Sequence, residues 1–459
     1  MMVAIGRCNG RARPLRGRAM LARIILAVGM LTMAHSGVIC AQATNAAAAG
    51  EQRIVVAIEE KSDPIPAIGS SPRGYSGFTG YAGSERSRAT STRIAREHGL
   101  TEISAWSIEP LKLRCMLYAI PAGGDREHVL AELRRDNRVH LAQPLQEFAT
   151  LSVPSALDAS PKAVAATTPY NDPYVGLQTG FSSIGAAQAQ RWASGRHVAV
   201  ALIDTGIDAS HPDLAGRVGE QRDFVGGTAA DAAQDRHGTE VAGVIAAVAN
   251  NGVGIVGIAP AVELLSYRAC WPVARGASPA RCNSFTLAQA LGAAIASKAR
   301  IINLSLGGPH DPLLAELLDY AIAHGKIIVG AMPGDGNADG FPVGTKAVIA
   351  VGSSGDSKQQ PERQSLAAPG EEILTLEPGG SYDYASGTSL ATAHVTGAIA
   401  LLLQISPKLD EHALLAVLGS SVRARGEPID ACLALRSIGH GEGSCEGTWQ
   451  VSASGHLSQ

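Results

Sequence analysis

Aromatic side chains are scarce in this chain. Phe, Trp and Tyr make up 4% of its 459 residues, while hydrophobic residues of all kinds make up 46%. A core drawn mainly from alanine and aliphatic residues suits helices packed closely on a sheet and argues against an aromatic-rich β-sandwich. Residues 170–459 lack any basic excess, with 18 basic and 27 acidic side chains. Without clustered Lys and Arg to meet phosphates, nucleic acid is not an expected partner. The seven cysteines include no Cys-x-x-Cys pair, which leaves no ground for a cysteine metal site. Beyond the first 40 residues no apolar run is long enough to cross a membrane, and there is no internal repeat.

What is present divides the chain. Residues 1–43 hold six arginines and no acidic side chain, then an apolar run over 24–33 and the small-x-small triplet Ala41-Gln42-Ala43. This pattern predicts a cleaved signal peptide over 1–43 and a secreted or periplasmic protein. An uncleaved anchor is the alternative, although the apolar run is short for a full span. Over 44–151, strands are expected at 53–59, 103–108, 112–120 and 139–150, and helices at 90–98 and 126–135, with 61–90 irregular. That β-α-β-β-α-β order predicts a small α+β ferredoxin-like domain. Residues 152–169, rich in Ala, Ser and Pro, read as an exposed linker of the kind proteases nick. From 170 to 440 strands at 198–203, 262–267, 300–304, 326–331 and 347–351 alternate with helices, the mark of an α/β fold on a mostly parallel sheet. Residues 441–459 form a Gly/Ser-rich tail. Cys270 and Cys282, and Cys432 and Cys445, each flank a short loop. They are placed for two local disulfides, as export permits, with free buried thiols as the alternative.

Three stretches carry chemistry. Gly387-Thr388-Ser389 opens an apolar helix, so Ser389 meets unpaired N–H groups and the positive end of the dipole, where forming negative charge is favoured. Alone, that serine reads first as an N-cap. The apolar strand ending in Asp204-Thr205-Gly206 puts Asp204 at a strand's carboxyl end, where reacting groups gather in parallel sheets. His237-Gly238-Thr239 places His237 at the entry to a second apolar helix. A serine hydroxyl becomes a nucleophile when a base takes its proton and a third group holds that base. Ser389, His237 and Asp204 supply those three types.

These stretches, with His211-Pro212-Asp213-Leu214, Gly257-Ile258-Ala259-Pro260, Ile302-Asn303-Leu304-Ser305-Leu306-Gly307-Gly308 and Ala368-Pro369-Gly370, resemble the subtilisin-like serine proteases in content and order. The resemblance implies that Ser389 attacks a peptide carbonyl, His237 acts as base and then acid, and Asp204 orients it. It implies that Ser305-Leu306-Gly307 pairs with an extended polypeptide substrate and that Gly340 lies at the floor of the main specificity pocket. It further implies that residues 44–151 are a prodomain that inhibits its own enzyme until cut away between Leu151 and Tyr170, and that the enzyme is a monomer. No cofactor is required, but the loop 249–254 with Asp213 resembles the family's calcium site. Three positions depart from the pattern. Gly334 stands where the family's oxyanion-binding asparagine belongs, with Asn337 three residues on. Glu240 replaces a second histidine, and Ala393 replaces a proline. The first departure keeps open a non-catalytic binding protein on the same fold; a hydrolase acting on esters is the other alternative.

Overall fold

The computed structural model describes residues 52–60, 81–154, 169–354, 365–424, 426–439 and 444–445. The expected signal peptide, most of the linker and nearly all of the tail lie outside the described residues.

The first elements are β1 (Arg53–Glu59), α1 (Tyr81–Glu97), β2 (Thr101–Ile108), β3 (Leu113–Ala119), α2 (Arg126–Leu133) and β4 (Val139–Pro144). They form a four-stranded sheet of order β2-β3-β1-β4. Alternation along β1 gives the sheet two apolar faces. Ile54, Val56 and Ile58 pack with Ile94 of α1 and with Leu130 and Leu133 of α2, while Val55 and Ala57 join a different cluster. Helix α1 begins nine residues before the helix expected at 90–98. Its buried stripe includes Ser87 and Ser91 as well as Ile94, so small polar residues occupy positions where an apolar period would have shown. The expected strand over 139–150 is two strands. After β4 the chain turns, and β5 (Glu147–Thr150) and β6 (Ser152–Pro154) pair with other sheets.

The larger sheet has seven strands in the order β16-β15-β14-β12-β7-β9-β8. They are β7 (Ala199–Asp204), β8 (Val218–Asp223), β9 (Glu263–Arg268), β12 (Ile301–Leu304), β14 (Ile327–Ala331), β15 (Ile349–Ser353) and β16 (Leu366–Ala368). Every pairing in it is parallel. A parallel sheet needs cover on both faces, and the strand residues divide accordingly. Val200, Leu202, Val329 and Ile349 pack with Val241 and Ile245 of α3 (Arg236–Ala246) and with Leu390 and Ile399 of a long helix, Thr388–Ile405. Ala201, Ile203, Ile302 and Ile328 pack with Leu287 and Leu291 of α4 (Ser284–Ala296) and with Leu314 and Leu317 of α5 (Pro312–Ala323). The long helix is α6. Among the described residues it alone has the length and mean hydropathy (1.4) of a membrane span, and its place in the core accounts for both.

Val55, Ala57, Cys115 and Leu117 of the N-terminal sheet share the apolar cluster of α4 and α5. Trp106 meets Phe285 edge-on at 4.5 Å, and Gln143 Nε2 donates to Asp311 Oδ2 at 2.6 Å. Asp311 caps α5. The N-terminal sheet is therefore seated on the two helices whose amino ends border the carboxyl edge of the parallel sheet.

Further short strands are β10 (Cys270–Pro272), β11 (Ala280–Asn283), β13 (Leu306–Gly307), β17 (Ile373–Glu377) and β18 (Ser381–Gly387). The run 378–384, irregular by composition, is the turn and second arm of the β17–β18 hairpin. Both cysteine pairs are disulfides. Cys270–Cys282 ties β10 to β11, and Cys432–Cys445 ties the last described residues to the helix Ala431–Ser437.

Candidate active site

Asp204 ends β7, His237 is the second residue of α3 and Ser389 the second residue of α6. All three are fully buried. Asp204 Oδ1 lies 2.6 Å from His237 Nδ1, and His237 Nε2 lies 3.1 Å from Ser389 Oγ. The Ser389 hydroxyl also lies 2.8 Å from the Ser305 carbonyl oxygen, so two acceptors compete for its one proton. The Thr205 N–H donates to the same Asp204 oxygen at 2.6 Å and helps to fix the carboxylate. Burial disfavours charge on the His237 ring, yet the Asp204 carboxylate, its hydrogen bond and the charge of Glu240 outweigh it and hold the ring's pKa above the ordinary value. A carboxylate, an imidazole and a hydroxyl in that line are the parts that nucleophilic acyl transfer needs.

The site already holds a strand of its own chain. β5 lies between β11 and β13, antiparallel to both, with Thr150 opposite Leu306 and Ala149 opposite Gly307. The chain then passes over the serine. The Leu151 N–H donates to Ser389 Oγ at 3.1 Å and lies 3.4 Å from the Ser305 oxygen, and the Leu151 carbonyl accepts from the Ser389 N–H at 3.4 Å. Past it, β6 pairs with β18, with Ser152 opposite Gly387. Gly387 has φ 151°, and a Cβ there would stand 2.1 Å from the Leu151 oxygen, so only glycine admits the passing strand. The Leu151 side chain rests on Gly307, within 3.2 Å of where its Cβ would be. Phe148 is buried against Gly308 and meets Phe341 edge-on at 5.4 Å.

The expected substrate-wall residues Ser305, Leu306 and Gly307 thus face this segment. Gly340 packs on the Gly308 carbonyl, where a Cβ would come within 2.3 Å. Segment 147–152 has no motif to mark it. Its one local signal is alternation, with Phe148, Thr150 and Ser152 buried and Glu147 and Ala149 exposed, which by itself reads as any half-buried strand.

The departures have distinct outcomes. Ala393 lies buried within an unbroken α6. Asn337 is exposed and turned into its own loop, its side-chain oxygen accepting from the Asp339 N–H at 3.0 Å. Gly334 has open space where a side chain would begin. Beside the 249–254 loop, Asp213 is fully buried, and burial pushes its carboxyl up to about 6. Its partners, the Ile255 N–H, the Asn251 amide and the Tyr382 hydroxyl, are all neutral. No group of three or more acidic, His or Cys side chains is placed to hold a metal ion among the described residues. The Asn251 amide gives its nitrogen to Asp213 and its oxygen to the Val253 N–H, so a calcium ion would find a set of oxygens beside the buried carboxylate only with that amide turned round.

Comparison with known proteins agrees with this geometry. Residues 195–441 match the subtilase (peptidase S8) family. The thermitase of Thermoactinomyces vulgaris is 36% identical over 241 residues, covering 50% of this chain and 84% of that protein. An intracellular serine protease of Paenibacillus polymyxa is 37% identical over 247 residues, covering 50% of this chain and 74% of the relative. Fervidolysin from Fervidobacterium pennivorans, a keratinolytic enzyme related to subtilisin, shares the fold with a TM-score of 0.65 at 22% identity, over 84% of this chain and 61% of its own. The family match and these relatives mark a serine-type endopeptidase. The chain belongs to the subtilase family.

Proposed function

We propose that this protein is an exported endopeptidase that is made as a zymogen and cuts its own chain between Leu151 and Ser152. The observation that carries the reading is the placement of Leu151, whose N–H and carbonyl both bond to Ser389 while the chain on either side is held as a strand. Ser389 Oγ attacks the Leu151 carbonyl carbon, and His237 Nε2 takes the hydroxyl proton. The same proton goes to the Ser152 nitrogen as the Leu151–Ser152 bond breaks. Water then enters by the same base and releases Leu151 as a carboxylate. Asp204 holds the imidazole in the required tautomer and stabilises its cation.

After the cut, β5 still lies between β11 and β13 and the four-stranded sheet still covers α4 and α5, which supports a role for residues 44–151 as an inhibitory prodomain. Polypeptide substrates take the same path once that segment leaves, on a monomeric enzyme with Gly340 near the pocket for the side chain before the cut. The two disulfides support a secreted or periplasmic location. Amino-terminal sequencing of the folded product tests the reading, with a chain beginning at Ser152 as the expected result.

Gly334 favours a second reading, a binding protein without turnover, because it offers no side-chain donor to an oxyanion. The same sequencing separates the two, since a mere binder leaves the chain whole.

Calcium would be held by Asp213 and carbonyls of the 249–254 loop, with the Asn251 amide turned from its present bonds to offer its oxygen, and its charge would compensate the buried carboxylate. Removal by chelator is expected to lower Tm by about 5–10 °C, the effect of losing roughly 2–3 kcal/mol of ligand stabilisation. An unchanged Tm would remove calcium from the account.

A further inference from the structure

Glu240 lies one turn beyond His237 on α3 and is fully buried. A carboxylate in such a place is costly unless it is engaged. Its Oε2 accepts from the Ser278 hydroxyl at 2.9 Å. Ser278, itself buried, stands two residues before β11. The first residue of β11, Ala280, donates its N–H to the Thr150 hydroxyl of the bound strand at 2.9 Å. The other oxygen of Glu240 faces Arg236 Nε at 3.6 Å. Arg236 in turn pairs with Glu377 at the end of β17, and lies 3.8 Å from Asp383 on β18. The Glu240 carbonyl also accepts from the Thr375 hydroxyl of β17. One side chain thus connects the helix of the candidate base, the loop holding the acyl-side strand, and the hairpin that runs into Ser389.

We propose that Glu240 is a positioning residue, which through Ser278 sets the edge strand β11 against an extended substrate and through its charge sets the basicity of His237. The inference rests on the protease reading and deepens it. Its groups are unevenly charged. Two buried carboxylates, Glu240 and Glu377, face the single guanidinium of Arg236, with Asp383 at the rim. Burial and then the charge of Glu240 push the Glu377 carboxyl up to about 8. The Glu240 carboxyl lies one turn from His237 on the same buried helix, and its charge adds to that of Asp204 in favouring the protonated ring.

Two variants test the proposal on the mature enzyme, each measured with a short ester and with a peptide spanning Phe-Ala-Thr-Leu before the cut. Glu240→Gln keeps an acceptor for Ser278 and removes the charge. The acid limb of its kcat/KM profile should move to lower pH by on the order of half a unit, as a charge several ångströms away in a partly screened site requires. Ser278→Ala removes the link to β11 with little change in volume. Its ratio of peptide to ester kcat/KM should fall about tenfold, the usual size for a hydrogen bond to a charged group. An acid limb that stays in place in Glu240→Gln overturns the electrostatic half. Equal losses on both substrates in Ser278→Ala overturn the positional half and leave a merely structural role. Absence of any hydrolysis by the unsubstituted enzyme would instead count against the protease reading itself.

Discussion

His237→Ala should lower kcat by about a million-fold and Asp204→Asn by about ten-thousand-fold, the sizes measured for the equivalent losses in subtilisin and in trypsin. The geometry explains both. Nε2, the proposed base, lies 3.1 Å from the Ser389 hydroxyl, and without it the proton has only the Ser305 carbonyl, which cannot carry it away. Asp204→Asn keeps the shape but offers an amide to Nδ1 where a carboxylate stood at 2.6 Å, so the ring loses its tautomer and the stabilisation of its cation. Activity needs the neutral ring. The pKa of His237 is raised, so activity should fall away on the acid side at a higher pH than a free histidine's, about 6.5, would give. Loss of less than tenfold in His237→Ala, by burst-free peptide assay, would mean that another group is the base.

Gly334→Asn should raise kcat by about 10²–10³. That factor is the one lost when a subtilisin's own oxyanion-binding asparagine is removed, applied here in reverse to a member of the same family. The Leu151 oxygen rests on the Ser389 N–H at 3.4 Å, and Asn337 is committed to its own turn. An asparagine at 334 would add a side-chain donor from a position whose Cβ meets nothing within 4 Å, so the substitution carries little packing cost. A gain in kcat with little change in KM is the signature of a donor used mainly in the transition state. Unchanged or lower kcat would show that the oxyanion is already satisfied by backbone groups.

Much of the fold and of the triad is legible in the chain because it is locally encoded. Each expected strand of the parallel sheet lies within two residues of its observed bounds, since buried parallel strands are short apolar runs ended by turn residues. Asp204, His237 and Ser389 stand out because each sits at an element's end beside its own motif, and the parallel topology then draws those ends together. What is not legible is long-range or masked by polar residues. Helix α1 hides its buried stripe in Ser87 and Ser91. Strand β8 is mostly exposed and polar. The passage of Leu151 over Ser389 joins residues more than two hundred positions apart, and no local period records such a pairing. The link from Glu240 to Ser278 is hidden for the same reason.

The central claim is that Ser389 cuts the chain that lies across it. The measurement is the intact mass and amino terminus of the protein folded from its full chain, beside Ser389→Ala prepared in the same way. The account predicts a fragment beginning at Ser152 in the first, and a chain uncut at this bond in the second. An uncut chain in both, or a cut after Leu151 that survives in Ser389→Ala, would contradict it.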